Sequence, residues 1–134
     1  NLPTQLYVSL CSNSKEMMEK VQKPLISDAW ERLNKTLYLF PNLKTRKVIR
    51  LTMVKNFNMS EPEKYAKLIE KSMPDFVEVK AGMAVGFSRI QNRIKYEDMA
   101  SHEEIKEFAG RIADSIGYEF ADEKKDSRVV LLKK

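Results

Sequence analysis

Lys47-Val-Ile-Arg-Leu-Thr-Met-Val54 and, one helical stretch later, Phe76-Val-Glu-Val-Lys-Ala81 decide the fold. β-Branched residues crowd the first run, which suits a pleated, half-buried surface. Both runs alternate. Ile49, Leu51 and Met53 share one side, opposite Val48, Arg50 and Thr52. Val77 and Val79 share one side, opposite Phe76, Glu78 and Lys80. A parallel strand buried on both faces would be a near-continuous apolar run. Each of these strands instead has one oily face and one polar face.

Working outward, Gln5-Leu-Tyr-Val-Ser-Leu10 reads as an earlier strand, with Leu6, Val8 and Leu10 oily and Tyr7 and Ser9 opposite. A short helix is expected over 14–21. A clearer one runs from Ser27 and Asp28 to Phe40 on a Trp30, Leu33, Leu37, Phe40 stripe. Ser60 and Glu63 have capping-box spacing, with Pro62 just inside a helix that reaches about Ser72 and turns Tyr65, Leu68 and Ile69 inward. Residues 82–100 form a long connection rich in Met and Arg. Ser101 and Glu104 repeat the capping-box spacing before a stripe of Ile105, Phe108, Ala109, Ile112 and Ile116, and Gly117 suits a C′ position. Tyr118–Phe120 and Arg128–Leu132 are short strand candidates around a charged loop.

This alternation of strand and helix predicts an α/β fold with parallel strands and right-handed crossovers in a single unit, residues 1–134. Three main strands are few for a closed barrel and would leave parallel edges unpaired. The expectation is a piece of a larger barrel or open sheet. A chain that does not begin with Met fits that expectation.

Composition narrows the function classes. With 43% hydrophobic residues, 32% charged, 4 Gly and 5 Pro, the chain is neither collagenous nor low-complexity. No apolar run approaches the roughly 18 residues that span a bilayer, and no secretory signal pattern opens the sequence. One Cys excludes an internal disulfide and fits a reducing cytoplasm. One Cys and one His cannot by themselves build a zinc site or hold an iron–sulfur cluster, so no metal ligand is assigned. The net charge of +5 favours an anionic partner such as nucleic acid, although a lysine-rich solvated surface accounts for it equally well.

If crossover helices cover the oily faces, the other faces line a common interior carrying Ser9, Arg50, Thr52, Glu78 and Lys80. Buried charge must be paired or hydrogen-bonded, and three charged strands on one face suggest a polar ligand. The polar residues fall late in each strand, the end at which barrel and open-sheet α/β proteins bind ligands. The competing reading is a structural Arg50–Glu78 pair with Lys80 reaching solvent. Lys55, just past the second strand, is a candidate Schiff-base former or an ordinary surface lysine. His102, the only His, reads as a surface residue in the first turn of a helix, and Cys11 as a small core residue or one facing the site. Basic residues cluster at Lys44, Arg46 and Lys47, at Arg89, Arg93 and Lys95, and at Lys124, Lys125 and Arg128. Phe87, Tyr96 and Tyr118 lie near some of them, a pairing that suits single-stranded or loop RNA.

Taken together, Leu2-Pro-Thr-Gln-Leu-Tyr-Val-Ser-Leu10, Pro24-Leu-Ile-Ser-Asp-Ala-Trp-Glu-Arg32 and Thr45-Arg-Lys-Val-Ile-Arg-Leu-Thr-Met-Val-Lys55 with Asn58-Met59 resemble a known family. So do Pro74-Asp-Phe-Val-Glu-Val-Lys80, Val85-Gly-Phe-Ser-Arg89, Ser101-His-Glu-Glu104 and Ser127-Arg-Val-Val-Leu-Leu132. The chain resembles the C-terminal half of the archaeal radical-SAM tRNA 4-demethylwyosine synthases. That resemblance implies the last three βα units of a partial (βα) barrel of the radical-SAM type, with a short C-terminal strand extension. It implies a lyase of wyosine biosynthesis that acts on N1-methylguanosine beside the anticodon of phenylalanine tRNA. The reaction uses S-adenosyl-L-methionine (SAM), pyruvate and a [4Fe-4S] cluster whose cysteines lie upstream of the matched region. The implied partners are tRNA, pyruvate and the N-terminal half of the barrel, on the same or another chain, and this segment alone is expected to be inactive. Next to the resemblance, Ser9, Arg50, Thr52, Glu78 and Lys80 are expected to face the cofactor, and Lys55, Ser88, Arg89 and Arg93 the substrate. Asn56 replaces the family's usual Gly, a substitution that a left-handed turn tolerates. Gly82 and Ala84 stand where larger side chains are usual. Two other readings are a non-catalytic tRNA-binding subunit of a split enzyme and a small Schiff-base lyase using Lys55 or Lys80.

Overall fold

The computed structural model describes residues 1–91 and 93–134. Strands β1 (Gln5–Ser9), β2 (Arg46–Met53) and β3 (Phe76–Ala81) are parallel neighbours in that order. Helix α2 (Ala29–Leu39) connects the first two and α3 (Pro62–Ser72) the second pair. After β3 the chain makes a short helix, α4 (Phe87–Ile90), and a 3₁₀ turn over Tyr96–Asp98 before α5 (His102–Ile116). β4 (Glu119–Lys124) and β5 (Val129–Lys133) complete a five-stranded mixed sheet of order β1-β2-β3-β5-β4. β5 runs antiparallel to β3, so the expected open edge beside β3 is filled and only β1 remains a parallel edge.

The oily strand faces form the core as the alternation requires. Ile49, Leu51, Met53, Val77, Val79, Ala81, Val130 and Leu132 are fully buried. Over them lie Leu37 of α2, Tyr65 and Ile69 of α3, and Ile105 and Ile112 of α5. Tyr65 and Phe108 meet edge to face, with ring centroids 5.9 Å apart. All three long helices pack on this one face, and the opposite face stays half-open. That asymmetry explains why the strands alternate instead of reading as continuous apolar runs.

Local signals held at α5. Ser101 and Glu104 form a reciprocal capping box, and Gly117 ends the helix at φ 72°. Asn56 adopts φ 64° in the turn after β2. Elsewhere the structure corrects the expectation. The capping box at Ser60 does not form. Glu61 precedes Pro62 at φ 49° without capping the helix, and the Ser60 carbonyl accepts a hydrogen bond from Asn13 Nδ2 instead. The expected helix over 14–21 is a single turn, α1 (Lys15–Met17), continued as a π-helical turn over Met18–Gln22. β4 is longer than the expected Tyr118–Phe120 stretch and extends through what read as a charged loop.

Candidate functional site

The polar strand faces meet as one surface. Arg50 and Glu78 are direct register partners across β2 and β3, and Arg50 Nε donates to Glu78 Oε1 at 2.9 Å. Tyr7 Oη donates to Glu78 Oε2 at 3.3 Å, and the Arg50 guanidinium lies 4.6 Å from the Tyr7 ring centroid. The carboxylate therefore takes Nε and the ring takes one guanidinium face. The two terminal nitrogens make no hydrogen bond among the described residues, so the fork is left for an anion. Ser9 stands opposite Arg50 on β1 and is exposed, and Thr52 stands opposite Lys80, both half-buried. All five residues expected to face a cofactor thus share one sheet face.

Sequence reasoning left two contributors out of the site. One is Tyr7, which alternation put on the right face without marking it as functional. The other is β4. Tyr7 and Glu78 line a hollow of about 210 Å³ with Asp122, Lys124, Val129 and Leu131. Tyr7 belongs to one edge of the sheet and Asp122 and Lys124 to the other, so the sheet curls until its edges share a concavity. The only sequence signal was an Asp122/Lys124 alternation in a stretch too polar to read as a strand.

Loops at the C-terminal ends of β1 and β2 are tied together. Asn58, buried, accepts from the Val54 backbone N–H at 2.8 Å and donates to the carbonyls of Thr52 at 2.9 Å and Cys11 at 3.0 Å. Ser12, fully buried, donates to Gln22 Oε1 at 2.5 Å and so anchors the π-helical turn. The residues expected to face substrate are dispersed. Lys55 Nζ lies 3.3 Å from Glu104 Oε1 and lines a hollow against Phe108 and Arg111 of α5, apart from the Arg50–Glu78 surface. The Ser101 backbone amide, with Lys55 assisting, holds the Glu104 carboxyl below its ordinary range. Ser88 spends its hydroxyl within its own turn, donating to the Val85 carbonyl at 2.7 Å. Arg89 and Arg93 are exposed.

His102 is not the surface residue that its position suggested. It is 6% exposed, and its Nε2 lies 2.5 Å from Glu123 Oε2 on β4. That contact, together with Lys106, pulls the Glu123 carboxyl below its ordinary range. Among the described residues no three His, Cys, Asp or Glu side chains gather as metal ligands, and Cys11 is half-buried and alone. The donor set here does not fit an iron–sulfur cluster. The open Arg50 fork does fit a small carboxylate.

Residues 71–134 match the family model described as wyosine base formation. The chain is 51% identical over 132 residues to the S-adenosyl-L-methionine-dependent tRNA 4-demethylwyosine synthase of Pyrococcus abyssi, covering 98% of this chain and 38% of that protein. It therefore spans less than half the length of the curated relative it matches. A structure of TYW1 with a lysine–pyruvate adduct bound superposes with a TM-score of 0.87 at 32% identity, covering 98% of this chain and 41% of that one. The coproporphyrinogen III oxidase HemN of Escherichia coli, a radical SAM enzyme, superposes with a TM-score of 0.63 at 18% identity, covering 98% of this chain and 30% of that one, which is a likeness of fold.

Proposed function

We propose, for a chain related along nearly its whole length to the C-terminal part of tRNA 4-demethylwyosine synthases, that it supplies the last three βα units and closing hairpin of such an enzyme's partial barrel. The reaction is the conversion of N1-methylguanosine beside the anticodon of phenylalanine tRNA to 4-demethylwyosine, with pyruvate as the carbon donor, in the cytoplasm. No helix among the described residues is long and apolar enough to cross a membrane. In the complete enzyme, SAM with a [4Fe-4S] cluster would supply the hydrogen-abstracting radical. The cluster is held by the upstream part of the barrel.

The observation that carries this reading is the Arg50–Glu78 pair on an uncovered sheet face, with Glu78 also lining the hollow beside it. Arg50 would hold the carboxylate of SAM or of pyruvate through its two free nitrogens, since the guanidinium fork matches a carboxylate. Glu78 and Tyr7 keep that fork from rotating. Ser9, Thr52 and Lys80 supply further polar contacts along the same face, and Arg89 and Arg93 approach substrate from the loop after β3, where Ser88 could join them only by leaving its bond to the Val85 carbonyl. Lys55 reaches substrate only if its pair with Glu104 opens. The low local dielectric inside the partial barrel would strengthen each contact where its N-terminal half covers this face.

A chimera tests the proposal: this chain replaces the corresponding C-terminal part of the Pyrococcus abyssi relative. The cluster-loaded chimera is expected to form 4-demethylwyosine from N1-methylguanosine-containing tRNA, pyruvate and SAM. A cluster-loaded chimera that binds tRNA yet makes no product would refute the reading and favour a non-catalytic RNA-binding subunit.

A further inference from the structure

A hollow of about 570 Å³ is lined by Lys20, Val21, Gln22, Lys23, Phe57 and Arg93. These residues come from three separate loops, which follow β1, β2 and β3 respectively. They therefore converge on the same end of the parallel sheet as the late-strand polar residues. Lys20, Lys23 and Arg93 are exposed, and no ion pair engages any of them among the described residues. No carboxylate lines the hollow. The nearby Glu19 lines an adjoining hollow with Leu25 and Trp30, which Lys23 also borders. Phe57 is 41% exposed, so its ring is open to a stacking partner.

The rim is also built before any ligand arrives. Ser12 holds Gln22, the residue just before Lys23, and Lys23 closes the π-helical turn at φ 47°. Asn58, next to Phe57, ties that loop to the one after β1. Cations spread along one rim beside an exposed ring suit a phosphate backbone with an unpaired base stacked on the ring, and do not suit a small anion, which needs one convergent cage.

Resting on the function proposed above, we infer that Lys20, Lys23 and Arg93 seat the phosphates of an RNA loop and that Phe57 stacks on an unpaired base flanking the nucleotide being modified. The RNA would cross the mouth of the barrel here, and the target nucleotide alone would turn down toward Arg50.

The test measures binding of this chain to a hairpin with the tRNA anticodon loop, and to a fully paired duplex of equal length, across a salt series. The triple variant Lys20→Gln, Lys23→Gln, Arg93→Gln is expected to flatten the slope of log K against log salt by about 2, from three lost phosphate contacts at about 0.7 each. Phe57→Ala is expected to weaken hairpin binding roughly fivefold to a hundredfold, with little change for the duplex, and Phe57→Tyr to restore it. All the substituted side chains are exposed, and circular dichroism checks that the variants fold. No hairpin binding by the unaltered chain, an unchanged slope in the triple variant, or equal losses on hairpin and duplex with Phe57→Ala would each overturn the inference. An inactive chimera alongside the expected binding changes would strike the proposed function and spare the seat. An active chimera alongside unchanged binding would do the reverse.

Discussion

Arg50 and Glu78 sit directly opposite each other on two parallel strands, and their side chains join at 2.9 Å on the face that the helices leave uncovered. The pair is asymmetric. The Glu78 side chain is 17% exposed and that of Arg50 40%, so the carboxylate is the anchored member and the guanidinium the presented one.

Arg50→Gln in the chimera is therefore expected to raise KM for pyruvate or SAM by roughly 10- to 100-fold, the loss of a charge-assisted contact of about 1.5–3 kcal/mol. Stability should fall by about 1 kcal/mol or less, because a half-exposed pair contributes little. Steady-state kinetics with each ligand varied, together with urea unfolding, check both. A large stability loss with unchanged KM would make the pair structural.

Asn58→Ala is expected to cost about 2–4 kcal/mol, because it strands a buried N–H and two carbonyls at once. Unfolding midpoints in urea measure this. A cost below about 1 kcal/mol would mean that water replaces the side chain and that the two loops are not joined through it.

Gly82→Ala is expected to destabilise by about 1–3 kcal/mol. An added Cβ would stand 2.5 Å from Val54 Cγ2, and a β-branched valine has little rotamer freedom to yield. Thermal unfolding of Gly82→Ala, alone and with Val54→Ala, checks the assignment. The double variant should recover part of the loss.

Acid should destabilise the fold partly through Glu104 and Glu123. Both carboxyls are held below the ordinary value of 4.5, the first chiefly by the Ser101 amide and the second chiefly by His102. A carboxyl depressed in the folded state contributes stability that is complete above its unfolded value. That contribution is lost as pH falls below about 4.5 and through the lower folded values. Melting temperature against pH should show a shallower acid limb in Glu104→Gln than in the unaltered chain. Identical limbs would remove Glu104 from the account.

Reconstitution of the chain by itself with iron and sulfide should give no SAM-responsive [4Fe-4S] signal by electron paramagnetic resonance. Among the described residues no ligand set for a cluster gathers. Such a signal would contradict the division of labour proposed for the two halves.

Strand–helix–strand order determined that the strands are parallel, and period-two alternation in 47–54 and 76–81 determined their oily face and the polar residues facing away from it, because side-chain direction in a strand follows from position alone. Ser101, Glu104 and Gly117 likewise marked both ends of α5, since capping is a local exchange of hydrogen bonds. Tertiary structure decided everything that depends on where distant segments meet. β5 closed the edge beside β3, and β4 formed from residues too polar to announce a strand, because a neighbouring strand satisfies backbone groups whatever the side chains are. His102 was buried by β4, Lys55 was drawn to Glu104, and Tyr7 came to lie under Arg50. Alternation tells which side of a strand a residue takes. It carries no information on how far the sheet curls, and that curl is what turns a polar face into a cavity.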